Sequence, residues 1–332
     1  MRLSKRLFAA IAAGVVVIST GLGGVAQASI VEKPTLPKTS AVKGYPPTPE
    51  LNAKPKKAGE VTTLAACAPP CYHYAAKTYS NTGITATKTT QRIIKPYLDL
   101  VATGSNVNDY HTLGETSIQG GSGGGAGTTN IIEVGQTIDP ALNGGSQDPH
   151  IFVFAWYTDS NGVRQECGYN GQGANICGYI DKASNTLDAG DSINADLGTE
   201  QSFEIYHYAP SSAWIINYKG VEVGRYPDSL LHSSNYTSAN LVQNFGEVAL
   251  RHFPSCTDMG NGKLPTTSIY YPTHGAEFRA FNTALGGSYS PATYTGTVIT
   301  SPTNWDLLTL SSNDAFYYGG PGAGNLPPTN CA

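Results

Sequence analysis

Short runs of alternating side chains, cut repeatedly by turn-forming clusters, constrain this chain's fold more than any other feature. The clusters GGSGGGAG, NGGSQDP, SNG, NGQG and GNG separate strand-like runs at 83–94, 131–138, 151–158, 201–208, 213–218, 222–226, 241–250, 293–299 and 306–309. Period-two runs of this length, bounded by Gly, Asn, Asp and Pro, read as strands, and many of them in series build a sandwich or barrel. The expected fold is all-β, an antiparallel sandwich of two sheets. Residues 91–100 and 228–232 are candidate short helices. No fixed-period repeat and no domain boundary interrupts the chain after residue 67.

The N-terminus reads as a targeting segment. Arg2, Lys5 and Arg6 precede an apolar run over 7–25, and Ala26-Gln27-Ala28 supplies a small-x-small cleavage site. This predicts a signal peptide over 1–28 and a secreted, extracellular protein. Residues 29–66 carry six Lys, three acids and YPPTPE and KPKK stretches, with little apolar periodicity. Such a segment buries too little to fold alone and reads as a pro-segment or linker. Residues 67–332 form the expected β domain. No later run is long and apolar enough to span a bilayer, so no membrane partner is expected once the signal is removed.

Six cysteines suit an oxidising compartment, and the local pairing 67–71, 167–177, 256–331 is the expectation among fifteen connectivities. The spacings lack a paired CxxC pattern, so no metal is expected. From residue 67 onward, eleven Lys and Arg stand against 21 Asp and Glu. An acidic body lacks the cationic footprint that nucleic-acid binding requires. Its charge is opposite to that of 29–66, which is expected either to lie on the domain or to serve as a spacer. No cofactor and a monomeric state are expected.

Among candidate chemistries, Gly120-Gly121-Ser122-Gly123-Gly124 matches a nucleophile elbow only formally, because no helix follows it. The seven histidines form no HExxH or His-x-His cluster, and every Cys has a disulfide mate available. Carboxylates remain. In NIIEVGQTIDP, Ile132, Val134 and Ile138 share one strand face while Glu133, Gly135 and Thr137 share the other. In LVQNFGEVAL, Val242, Val248 and Leu250 oppose Gln243, Phe245 and Glu247. Gly135 and Gly246 mark places where a ligand or backbone can approach. Two neighbouring carboxyls cannot both ionise easily, so one holds a proton while the other acts as a base. That chemistry fits peptide hydrolysis, and it equally fits glycoside hydrolysis. A non-catalytic carbohydrate- or surface-binding sandwich is the third reading.

Six segments in order resemble the neprosin family of secreted peptidases: IIEVGQTIDP, HIFVFAWYTDSNG, CGYNGQGANICGYI, AWIINYKGVEVGRYPDSLL, QNFGEVAL and AFYYGGPGAGNLPPTNC. The resemblance implies a concanavalin-like sandwich, catalytic glutamates at Glu133 and Glu247, hydrolysis at acid pH and cleavage after proline. A polypeptide substrate, rich in proline, is then the expected partner. Gln243, on the Glu247 face, is the expected oxyanion donor, and Phe152, Phe154, Trp156, Trp214 and Phe245 are candidate groove-lining residues. Gln136, Asn244 or Phe245, and Arg225 stand where the family carries other residues, and those aromatic positions bear on proline preference.

Overall fold

The computed structural model describes residues 70–99, 109–120, 129–159, 161, 163–169, 178–181, 187–228, 236–251, 255–268, 273–300 and 304–322. These form two antiparallel sheets. The first runs in the order β14–β1–β11–β3–β4–β5–β6, comprising β1 (Cys71–Ile84), β3 (His111–Gly120), β4 (Thr129–Ile138), β5 (His150–Thr158), β6 (Arg164–Tyr169), β11 (Ala239–Leu250) and β14 (Gly296–Ile299). The second runs β15–β16–β12–β2–β8–β9–β10–β7, with β13 (Ser290–Pro291) beside β12 (Ala276–Ala284). Its other strands are β2 (Ala86–Arg92), β7 (Ile180–Asp181), β8 (Glu200–Tyr208), β9 (Ala213–Tyr218), β10 (Val221–Pro227), β15 (Asp306–Thr309) and β16 (Phe316–Gly319). Among the described residues there is no α-helix, only 3-10 turns at Asn194–Asp196 and Ala209–Ser211.

Alternation decides which face each strand buries between the sheets. Ile118, Ile132, Val134, Val153, Val242 and Val248 of the first sheet join Phe203, Ile205, Trp214, Ile216, Phe278 and Phe281 of the second in one core. Burying each such side chain contributes about 1.5–3 kcal/mol. Tyr318 fills the space left by two glycines: a β-carbon at Gly114 would meet its hydroxyl at 2.4 Å, and one at Gly246 would meet its ring at 2.4 Å. Gly246 thus serves packing between the sheets, not ligand approach.

Two expectations change. The helix expected over 91–100 is absent: β2 ends at Arg92, and 93–99 runs on irregularly with Ile93, Ile94 and Leu98 buried. Pro96 denies that stretch a helical interior. Strands β1, β3, β6, β7, β12, β13 and β16 add to those expected. Of the candidate helix at 228–232, only Asp228 is described, as are only Cys71, Cys167 and Cys256 of the cysteines. None of these three is free, and the expected pairings involve Cys67, Cys177 and Cys331, outside the described residues.

Candidate active site

The face of the first sheet turned away from the core carries the polar chemistry. Register pairs Glu133 with Ser117, and Ser117 with Gln243, in one row across β4, β3 and β11. One step along the strands, Gly135, Glu115 and Phe245 form the next row; a further step brings Thr137, Leu113, Glu247 and, on β1, Tyr74. All these residues lie on one face because side chains two apart on a strand point the same way. Glu115, Glu133 and Glu247 are each 0% exposed.

The two expected glutamates are not adjacent. They sit two strands apart and four residues out of level, which places their α-carbons on the order of 16 Å from each other. Glu115 stands between them. It is the diagonal neighbour of Glu133 across β3–β4 and of Glu247 across β3–β11, at about 7–8 Å in each case. In the register Glu115 is thus the neighbour that Glu133 and Glu247 have in common.

His111, at the start of β3, bridges two acids. Its Nε2 lies 2.9 Å from Glu247 Oε1, and its Nδ1 lies 3.9 Å from Asp139 Oδ2 just beyond β4. All three side chains are at most 5% exposed. Burial raises the Asp139 carboxyl above its ordinary value, while His111 and the backbone N–H groups of Leu142 and Ala141 pull it back. The ring thus links two carboxyls. Among the described residues no group of three or more His, Cys, Asp or Glu forms a metal-holding cluster.

At the other end of the face, the Gln119 amide donates to Gln243 Oε1 and, at 3.1 Å, to Ser117 Oγ. Gln243 therefore has its carbonyl engaged and its amide nitrogen as the donor end. Tyr74 packs edge-on against Phe245, with centroids 6.3 Å apart and ring planes at 61°. Its phenol is held well above the ordinary value by burial and by the charges of Glu247, Glu133, Tyr72 and Glu115. On the opposite flank, Phe154, Phe152 and Trp156 pair directly with Glu133, Gly135 and Ile131. With Ile131 and Leu142 they form an apolar cluster, Phe152 and Phe154 stacking at 6.0 Å.

Of the residues singled out from sequence, Glu133, Glu247, Gln243, Phe245, Phe152, Phe154 and Trp156 share this face. Trp214 does not. It is fully buried between the sheets, its Nε1 donating to the Tyr236 carbonyl at 2.5 Å, so its expected place in a groove beside the glutamates is corrected. Gln136 also points away, accepting from Ile94 N and donating to the Arg92 carbonyl. Sequence reasoning missed Glu115, His111, Tyr74 and Asp139. A signal for the first two existed in HTLGETSIQG, where His111, Leu113, Glu115, Ser117 and Gln119 alternate with the core-facing positions. Those core positions are Gly114, Thr116 and Ile118, too weakly apolar to mark a strand.

A separate open groove of about 530 Å³ lies on the second sheet, lined by Glu204, Tyr206, His207, Asn217 and Tyr289 among others. None of the residues of the glutamate face lines it.

The Neprosin family model matches residues 108–321, a span that contains Glu115, Glu133, Glu247, His111 and Asp139. No curated protein matches the chain. Among solved structures, a glycoside hydrolase family 16 endo-glucanase from Bacteroides ovatus is similar at 9% identity and a TM-score of 0.32, covering 55% of this chain and 67% of its own. Sheep galectin-11 is similar at 11% identity and a TM-score of 0.25, covering 55% of this chain and 95% of its own.

Proposed function

Because this chain belongs to the Neprosin family, we propose that it is a secreted endopeptidase that hydrolyses peptide bonds at acid pH through the glutamates of its first sheet. The observation that carries the reading is the row arrangement of Glu133, Glu115 and Glu247 on one buried face, with His111 hydrogen-bonded to the last. A ring N–H donated to a carboxyl oxygen favours the ionised form, and His111 Nε2 lies 2.9 Å from Glu247 Oε1, so Glu247 takes the role of base. Buried like-charged groups resist double ionisation, so Glu115 and Glu133 retain a proton between them and supply the acid.

The step balances as follows. Glu247 takes a proton from water as the water oxygen bonds to the scissile carbonyl carbon, and the carbonyl π pair moves onto its oxygen. Collapse of that oxyanion breaks the C–N bond, and the departing nitrogen takes the proton held by Glu133 and Glu115. Proton exchange with solvent then resets both sides. Side chains on a paired sheet need little reorganisation during the reaction, which is where electrostatic catalysis gains most. Phe152, Phe154 and Trp156 flank Glu133 and suit an apolar or proline-bearing segment of the substrate.

Glu115, Glu133 and Glu247 are buried, so the catalytic face must be uncovered before a peptide reaches it. Residues 29–66, oppositely charged to the domain, are the segment we assign to holding the enzyme inactive. The test is hydrolysis of proline-containing peptides across pH 3–7, with product masses locating the cut bond. Cleavage that is lost in Glu133→Gln and Glu247→Gln, without unfolding, supports the reading. Full peptidase activity in either variant rejects it, and hydrolysis of glycans but of no peptide replaces it with a glycosidase.

A further inference from the structure

We propose that Tyr74 is a catalytic residue, its phenol O–H donating a hydrogen bond to the oxyanion that forms on the scissile carbonyl. The inference rests on the glutamate reading above and names a group that reading does not use.

Tyr74 lies on β1, beside Glu247 in the register. Its side chain is 4% exposed, and its hydroxyl has no hydrogen-bond partner among the described residues. Its ring is fixed edge-on by Phe245 and packed with Ala76 and Leu113. Phenylalanine would fill the same apolar niche, so packing gives no reason for the hydroxyl. A buried hydroxyl left without a partner opposes folding, and such a group earns its place when a ligand completes it.

The surroundings say what kind of ligand. Tyr74 is the register partner of Glu247, so it stands beside the carboxyl that would activate water, and Glu133 and Glu115 act on its phenol as well. Burial first, then those carboxyls and Tyr72, hold the phenol protonated across the acid and neutral range, which makes it a donor and not a base. In the reaction one atom gains negative charge and needs a donor: the carbonyl oxygen. A fixed O–H aimed at that charge in a site closed to water is the arrangement that lowers a barrier most. The phenol keeps its proton throughout.

The experiment compares Tyr74→Phe with wild type and Glu133→Gln on one peptide, as kcat and KM over pH 3–7, together with thermal unfolding. Loss of one oxyanion donor lowers kcat by about 10²–10³-fold with KM little changed. The pH profile should keep its shape, because the lost group does not titrate there, and the variant should unfold at or above the wild-type temperature. A Tyr74→Phe enzyme with wild-type kcat, alongside an inactive Glu133→Gln, overturns the role of Tyr74 alone. An active Glu133→Gln, or a wild type that cuts no peptide, overturns the glutamate reading itself. A Tyr74→Phe loss that appears in KM, or with a lowered unfolding temperature, assigns the residue to structure and also overturns the proposal.

Discussion

Gly135 faces Glu115 across the β3–β4 ladder, and a β-carbon at position 135 would lie 2.8 Å from Glu115 Cγ and 2.0 Å from the Gly114 carbonyl oxygen. The missing side chain is what lets Glu115 lie over β4, towards Glu133. Gly135→Ala forces backbone apart inside a central strand pair, so it should destabilise by about 3 kcal/mol. Urea unfolding measures this, with Gly287→Ala as control: a β-carbon there meets nothing within 4 Å, and the expected change is within about 0.5 kcal/mol. If Gly135→Ala is equally silent, Glu115 is not held where the ladder puts it.

That relationship was half legible from sequence. The period-two pattern of NIIEVGQTIDP put Glu133 and Gly135 on the face opposite Ile132 and Val134, and the register agrees. What the pattern lacked was the neighbour. Strand β3 hides because Tyr318, from the other sheet, packs against Gly114 and so stands in for a large core side chain. Strand β12 hides for another reason: a bulge at Ala280, with φ of 49°, shifts the register between Arg279 and Asn282 and breaks the alternation. Strand β1 mixes His73, Ala75 and Lys77 on its core-side positions, which no hydrophobic period identifies. Trp214 went wrong because an aromatic in a strand has two faces to choose from, and only the partner sheet decides.

In the proposed mechanism the hydrogen bond between His111 and Glu247 divides the roles of the carboxyls, and its removal should show in a pH profile. Deleting a hydrogen-bond donor to a carboxylate makes it harder to ionise. In His111→Phe the basic form of Glu247 should then appear only at higher pH, moving the acid limb of kcat/KM upward by about 1 unit or more. His111→Gln keeps an N–H that can donate to Glu247 Oε1, and should recover part of the activity and of the limb. An unmoved limb in His111→Phe would remove Glu247 from the role of base.

An enzyme acting at acid pH must also stay folded there, and two buried groups pull in opposite directions. His73, stacked on Trp305 at 4.7 Å, has its pKa lowered by burial to about 4. A depressed folded value means that the stability it contributes is complete above about 6.5 and is lost as pH falls towards 4. Asp258 is raised by burial to about 6. Its contribution is complete below about 3.9 and is lost as pH rises through 6. Between pH 7 and 4.5, His73→Phe should remove about 2 kcal/mol of acid destabilisation. Asp258→Asn keeps an oxygen to accept from Tyr97 N, 3.2 Å away in the native protein, but should make the acid loss steeper. Chemical denaturation at the two pH values measures both. A His73→Phe variant with the wild-type pH dependence would show that the ring is already charged in the fold.

The last expectation concerns access. Glu115, Glu133 and Glu247 are closed to solvent, and residues 29–66 carry six Lys against three acids, opposite in charge to a domain rich in Asp and Glu. If the segment is held on the domain by charge, lowering the pH neutralises carboxylates, weakens that attraction and releases it, while supplying the protonated glutamate of the proposed chemistry. Full-length protein should therefore show a lag before peptide hydrolysis that acid pre-incubation abolishes. Protein beginning near Cys67 should show none. Salt should shorten the lag of the long form, because screening acts on exposed charge pairs. Equal lags in the two forms, or a lag indifferent to salt, would separate the burial of the glutamates from residues 29–66.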